Sequence, residues 1–246
     1  MLISAKYLTN YKIESKDGNI GQVHSFLFDD KKWIIRYLVV DTGGINGRKV
    51  LIVPSALGKP DGEARMFPID LTRDEIEKSP AIDTDKPVSR AQETELHQYY
   101  NWAAYWSGPF GLAATPVGPI SGGVEKTTVA VEEKPGTNLR STREVIGYAL
   151  HASDGVIGHV DDFILHQEDW VIRYMIVDIN RWLIGRKVII PPDWISEINW
   201  ENAEVFVDVS KETVRKSPDF NASAPVNREY EIRLYDYYGR PKYWSA

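Results

Sequence analysis

The residues of this 246-residue chain whose types could do chemistry are five histidines, a set of aspartates, and arginines and lysines at turns or within strands. Catalysis needs such groups to converge on one reacting atom. A local run of His151, His159, Asp161, Asp162 and His166 has the residue types of a metal site. On a strand His159 and Asp161 share a face, because side chains alternate with a period of two. That supplies two ligands without a third, so no metal is expected and the histidines of this run read as solvated turn or strand-face residues; His24 and His97 face Asp161 and Tyr235 in the other copy. Cysteine is absent, which removes disulfides, Cys-ligated zinc and thiol catalysis.

Asp17, Asp41 and Asp70 recur as Asp154, Asp178 and Asp208, each at a turn, a strand end or a helix start. A carboxylate there accepts backbone N–H bonds, which is a structural task. Arg36 and Arg173 sit within strands and are expected to pair with a carboxylate or lie along Trp33 and Trp170. Arg48-Lys49 and Arg186-Lys187 place two cations at a loop tip, where they could grip phosphate or an acidic partner. The simpler account is a charged loop that keeps a strand end soluble. Gly43-Gly44-x-x-Gly47 has phosphate-loop spacing, but no helix N-terminus follows to supply free N–H groups. No catalytic residue and no cofactor is expected.

The elements that position these groups come in two copies. Tyr11–Asp41 aligns without gaps on Tyr148–Asp178 at an offset of 137, with 13 identities in 31 positions. Gly47–Trp106 aligns on Gly185–Trp244 at an offset of 138, with 20 identities in 60 positions. Similarity that holds one register this long marks a tandem duplication. Residues 1–106 form the first repeat, 139–246 the second, and 107–138 a linker with six glycines and four prolines in 32 residues. Gly108-Pro109, Gly118-Pro119 and Pro135-Gly136 break any periodicity within it, although Thr127–Val131 could add a short strand to a free edge.

Each copy reads as consecutive short strands followed by a short helix. In the first, Tyr11–Ser15 and Ile20–Asp29 flank an Asp17-Gly18 turn, a strong hairpin signal. Trp33–Asp41, Val50–Leu57 and Ala64–Ile69 follow, with Pro54 marking an edge or bulge. Asp70 or Thr72 can cap a helix over Arg73–Lys78 that Pro80 stops. The predicted fold is mainly β: two tandem small barrels built as antiparallel meanders, each with a short helix and an aromatic C-terminal tail. Closing so small a sheet removes its edges.

The turn Asp-Gly-x-x-Gly, the strand W-x-x-R-Y-x-x-V-D, the basic turn, the strand ending near Pro and the short helix resemble the PRC-barrel family. That family is named after the cytoplasmic domain of the photosynthetic reaction-centre H subunit, and a similar barrel ends the ribosome-maturation factor RimM. The resemblance covers about 70–80 residues of each copy and is a signature of turns and core positions. The tails align through Arg90/Arg228, Glu93/Glu231, Leu96/Leu234, Tyr99-Tyr100/Tyr237-Tyr238 and Tyr105-Trp106/Tyr243-Trp244. They resemble the tails of bacterial two-barrel proteins in the family. A helical turn there delivers an aromatic cluster to an apolar surface, which could be its own barrel, the other barrel or a second chain.

The resemblance implies an adaptor: a non-enzymatic scaffold for protein–protein contact with a partner of unstated identity, a homodimer included. Interface candidates are the tail residues Tyr99, Tyr100, Tyr105, Trp106, Tyr237, Tyr238, Tyr243 and Trp244, together with aromatics special to the second copy. There Trp182-Leu183-Ile184 forms an apolar turn, and Trp194 and Trp200 face Ala56 and Gly62. The basic-loop candidates are Arg48, Lys49, Arg186 and Lys187. Two alternatives stand beside the scaffold: a soluble H-subunit-like modulator of electron or proton transfer at a membrane complex, and a small-molecule binder or enzyme using an inter-barrel cleft. The balance of 29 basic to 35 acidic residues, −6 overall, speaks against direct nucleic-acid binding. Apolar runs are too short to cross a bilayer, and Met1–Asn10 lacks an apolar signal region. A cytoplasmic protein is expected, with only peripheral contact to a membrane complex open to it.

Overall fold

The computed structural model describes residues 1–43, 48–80, 82, 87–106, 137–179, 186–222 and 224–245. The first copy comprises β1 (Leu2–Ser4), α1 (Ala5–Leu8), β2 (Lys12–Ser15), β3 (Gly18–Asp29), β4 (Ile34–Asp41), β5 (Lys49–Ile52), β6 (Met66–Pro68), α2 (Arg73–Glu77) and α3 (Arg90–Tyr100). The second repeats it: β7 (Leu139–Ser141), α4 (Thr142–Val145), β8 (Ala149–Ala152), β9 (Gly155–His166), β10 (Ile172–Asp178), β11 (Lys187–Ile190), β12 (Ile195–Asn199), β13 (Glu204–Val207), α5 (Lys211–Arg215) and α6 (Arg228–Tyr238). The protein is mainly β, with one sheet per copy.

Each sheet curls into a small barrel. In the first the order is β5-β4-β3-β2-β6. A 3₁₀ turn at Pro54–Ala56 ends the expected Val50–Leu57 strand early and re-aims the chain, so that Leu57 bridges Ile69 just beyond β6. The same corner in the second copy, Pro192–Trp194, leads into β12, whose Ile195 pairs with Val207. One pairing departs from the expected meander. β6 returns beside β2 in the same direction, and β13 beside β8, because the proline corner and the turn after it reverse the chain once more. Asp17 and Asp154 accept the backbone N–H groups of Arg73 and Lys211, each at 2.8 Å, and so tie the hairpin turn to the start of the short helix.

Two glycines are steric requirements of the barrel. A Cβ at Gly21 (φ +150°) would lie 2.1 Å from the Asp41 carbonyl oxygen, and one at Gly158 would lie 2.1 Å from that of Asp178. Both obstacles are backbone and cannot rotate away. Gly21→Ala and Gly158→Ala are each expected to cost about 1–3 kcal/mol, read as a fall in the urea midpoint, whereas Gly62→Ala, with nothing within 4 Å of its Cβ, leaves it in place.

The two barrels exchange their first strands. β1 opens the first copy but pairs with β9 of the second barrel, and β7 opens the second copy but pairs with β3 of the first. Each arm is pinned beyond its strand. Ser4 Oγ and the Lys6 N–H bind the buried carboxylate of Asp162, and the Phe26 N–H donates to Thr142 Oγ1 at 3.3 Å. At the centre the two β-hairpin tips meet. Trp33 and Trp170, expected to start strands, sit instead at the turns with φ of +56° and +57°. A left-handed non-glycine residue costs on the order of 1–2 kcal/mol. Here it aims each Trp carbonyl at the other barrel: Ile172 N–H donates to the Trp33 oxygen at 2.7 Å and Ile35 N–H to the Trp170 oxygen at 2.9 Å. Phe28 and Phe163 pack below them at 5.9 Å, so one apolar core runs through both barrels.

Candidate functional site

The tails lie on their own barrels. In the first copy the fully buried Glu93 of α3 accepts hydrogen bonds from Tyr37 of β4 (2.9 Å) and Tyr105 of the tail (2.7 Å), while Arg90 closes an ion pair at 2.7 Å. The second copy repeats this around Glu231, with Tyr174 at 2.6 Å, Tyr243 at 2.9 Å and Arg228 at 3.0 Å. Guanidinium groups clamp the aromatic ends: Arg36 lies over Tyr105 at 4.0 Å and Arg90 over Trp106 at 4.3 Å, with Arg173 over Tyr243 at 4.7 Å and Arg228 over Trp244 at 4.1 Å. Arg36 and Arg173 therefore pair with carboxylates, Asp29 and Asp169, and stack on tail tyrosines rather than on Trp33 and Trp170. Tyr99 and Tyr237 keep exposed rings, and their hydroxyls donate at 2.8 Å to the Glu75 and Thr213 carbonyls of the short helices.

The second copy's additional tryptophans face inward. Trp194 is buried against Tyr235 and Tyr238, at 5.2 and 4.6 Å. In the first copy, where Ala56 stands in its place, Trp102 stacks on Tyr100 at 4.1 Å and fills the same role from the tail. Trp200 covers Tyr148 at 6.2 Å and carries the Arg140 guanidinium at 4.3 Å. Trp182, Leu183 and Ile184 lie outside the described residues, as do Gly44, Gly47 and Thr127–Val131. The basic turns are not solvated loop tips. Arg48 donates to the carbonyls of Glu77 and Ser79, and Arg186 to those of Arg215 and Ser217, which satisfies the C-terminal ends of α2 and α5. Lys187 binds Asp161 at 2.6 Å, as does Lys6 at 2.7 Å. Despite its burial, those two ammonium groups hold Asp161 below the usual carboxylate range.

A cleft of about 1040 Å³ lies open at the junction of the barrels. The first barrel contributes Tyr7, Tyr11, Ile35, Arg36 and the corner Val53–Gly62, its tail His97, Ala103 and Tyr105, and the second barrel the hairpin tip Gln167–Trp170. Met1 and Ile3 of the exchanged arm complete the wall. The charged groups that line it are largely paired with one another or with neighbours: Arg36 with Asp29 at 3.2 Å, Asp169 with Arg173 at 2.5 Å and His166 at 2.9 Å, the N-terminal ammonium with Glu168 at 3.9 Å. Among the described residues no group of three or more His, Cys, Asp or Glu side chains could hold a metal ion.

His97, which stands opposite Tyr235 in the repeat, lines the cleft. It is 5% exposed and its Nε2 lies 2.8 Å from the Tyr37 hydroxyl beside Glu93. Burial holds it below its ordinary value of 6.5 and raises Glu93 above the usual carboxylate range. The two shifts have opposite consequences. The unfolded chain takes up the histidine proton first, so stability falls as pH drops below 6.5; the folded chain keeps the Glu93 proton longer, so stability falls as pH rises through the carboxylate range. His97→Tyr, which copies Tyr235, removes the first effect alone. Its urea midpoint relative to wild type is expected to rise as pH falls from 7.5 to 5.5.

Residues 139–214 match the PRC-barrel domain family. The second copy is a PRC barrel. Its strands β7 to β13 and all of helix α5 but Arg215 fall within the match, while α6 and the Tyr243-Trp244 end lie beyond it. The first copy, outside the matched segment, has the same strand order except for β12, the same parallel closing pair and the same Glu-centred tail contact as that PRC barrel. No curated protein matches the chain. Among the described residues no helix is long and apolar enough to cross a membrane.

Proposed function

We propose that this protein is a non-enzymatic binding module in which two fused barrels act as a scaffold and the inter-barrel cleft receives a ligand. One observation carries the reading: the cleft is the place where both barrels, one exchanged arm and one tail all contribute walls. Large, mainly apolar concavities at such junctions are the usual sites of ligand capture. Occupancy would tie the first tail to the second barrel's hairpin tip, which gives the scaffold something to respond to. The pairing of Arg36, Asp169 and the N-terminal ammonium with neighbours supports binding over catalysis, since a reaction needs ionisable groups free to meet substrate.

The expectation of a partner surface made from tail aromatics and second-copy tryptophans loses support, because most of those rings are consumed within the chain. The basic turns likewise offer a membrane complex little through Arg48 and Arg186, whose guanidinium groups are bound to helix carbonyls. A ligand-observed NMR screen of uncharged fragments on the intact protein tests the proposal. Apolar fragments are expected to bind at one site and to be lost in an Ile3→Arg/Gly62→Trp variant, which copies the second-copy residues Arg140 and Trp200. Fragments indifferent to that variant, or no bound fragment at all, would contradict it.

A further inference from the structure

The charges around the cleft leave one cation over. Arg36 is held by Asp29, Asp169 by Arg173 and His166, and Glu168 faces the N-terminal ammonium. Lys59, exposed on the corner between β5 and β6, lines the same cleft and has no ion pair among the described residues. Its neighbour Asp61 is turned to the backbone N–H groups of Glu63 and Ala64. The duplication marks this cation as particular to the first copy. Position 59 corresponds to Glu197, an acid within the regular edge strand β12. In the first copy Gly58-Lys59-Pro60 replaces that strand, and Pro60 has no N–H to give a ladder. The lysine therefore sits on a bend held by two bridges, Leu57 to Ile69 and Asp61 to Met66.

Much of the remaining accessible wall is apolar. Met1 is 65% exposed and Tyr7 43%, and both belong to this cleft. Ile3, Leu57, Pro60 and Trp170 lie part-buried in the same wall. Exposed apolar side chains gathered in a concavity mark a binding site. A ligand with several polar groups would leave them unpartnered against such side chains, whereas a single anion has Lys59 to meet. Resting on the ligand-binding reading above, we infer that the cleft binds a free single-chain amphiphile, an alkyl chain ending in a carboxylate. The carboxylate pairs with Lys59 at the exposed corner, and the chain covers Met1, Ile3 and Tyr7. The exposed lysine selects the head group, and the apolar wall supplies most of the affinity.

Isothermal titration of the intact protein with octanoate, decanoate and decylammonium, each below its micelle concentration, tests the inference. One decanoate is expected to bind per chain, about tenfold more tightly than octanoate for its two additional methylenes. It is expected to bind roughly three- to fivefold more tightly than decylammonium. Lys59→Glu, which copies Glu197 at an exposed position, is expected to reverse the order of the two head groups, and Lys59→Gln to equalise them. In methyl-labelled methionine NMR spectra decanoate is expected to shift the Met1 signal and leave that of Met175, buried in the second barrel, in place. Equal affinity for the two head groups, or an order that Lys59→Glu leaves unchanged, overturns the inference. The ligand-binding reading then stands as long as the Met1 signal shifts. Decanoate bound without that shift lies outside the cleft and also overturns the inference. So does no binding of any of the three compounds, after which the screen of uncharged fragments decides the ligand-binding reading separately.

Discussion

A Glu93→Leu variant loses about 3–5 kcal/mol of stability and releases the first tail from its barrel. The reason is the company that carboxylate keeps. It is fully buried, accepts from Tyr37 and Tyr105, and holds Arg90. Leucine fills the volume but leaves the Tyr105 hydroxyl without its acceptor and Tyr37 with only His97, and takes the carboxylate from the partly exposed Arg90; a buried donor without an acceptor carries its whole desolvation cost. Glu231→Leu is expected to do the same to the second tail. Urea unfolding measures the loss, and limited proteolysis after Tyr99–Trp106 or Tyr237–Trp244 shows which tail has come away. Glu93→Gln, which keeps an acceptor for the tyrosines, is expected to lose markedly less. Equal losses for Leu and Gln would mean that the hydroxyls do not depend on the acceptor.

A Phe28→Ala variant is expected to cost a comparable 3–5 kcal/mol, the range for removing a large aromatic ring from a packed core. Its ring stacks on Trp33 at 5.2 Å and meets Phe163 at 5.9 Å across the junction. The size of the loss is less informative than its form. Because the apolar core is continuous through both barrels, the wild type should unfold in one calorimetric transition, with the van't Hoff enthalpy matching the calorimetric value. Loosening the junction should split it. Leu96→Ala, in the separate apolar cluster between the first barrel and its tail, should lower stability without that splitting. Two transitions already present in the wild type would refute the coupling.

The repeat, the hairpin at Asp17-Gly18, the order of strands and the paired tails were legible in the sequence because each depends on local turn chemistry or on apolar alternation. The strand exchange was not. Leu2–Ser4 and Leu139–Ser141 are three residues long, too short for periodicity to register, and which edge they join is decided by the tertiary placement of Asp162 and Thr142. The parallel closure by β6 is similarly non-local. Arg48 and Arg186 looked like solvent-facing cations because nothing in their neighbourhood announces helix carbonyls about thirty residues downstream. The cleft was legible in part. Aligning Trp194 and Trp200 with Ala56 and Gly62 marks where the copies differ. Gly62 lines the cleft, whereas the place of Trp194 is taken in the first copy by Trp102 of the tail. His97 gave a comparable sign, standing alone opposite Tyr235 in an otherwise matched helix.

The exchange of β1 and β7 also sets an order on synthesis. As the chain emerges from the ribosome, the first barrel and its tail are complete in sequence at Trp106, yet the strand that pairs with the end of β3 is not made until Leu139–Ser141. Over that interval a buried stretch of sheet has an open edge, and such edges invite pairing with other nascent chains. The second barrel has no such wait, because its exchanged strand, Leu2–Ser4, is made before the rest of that barrel. The nascent protein is therefore vulnerable at one end only, and the interval lasts as long as the segment between the copies takes to translate.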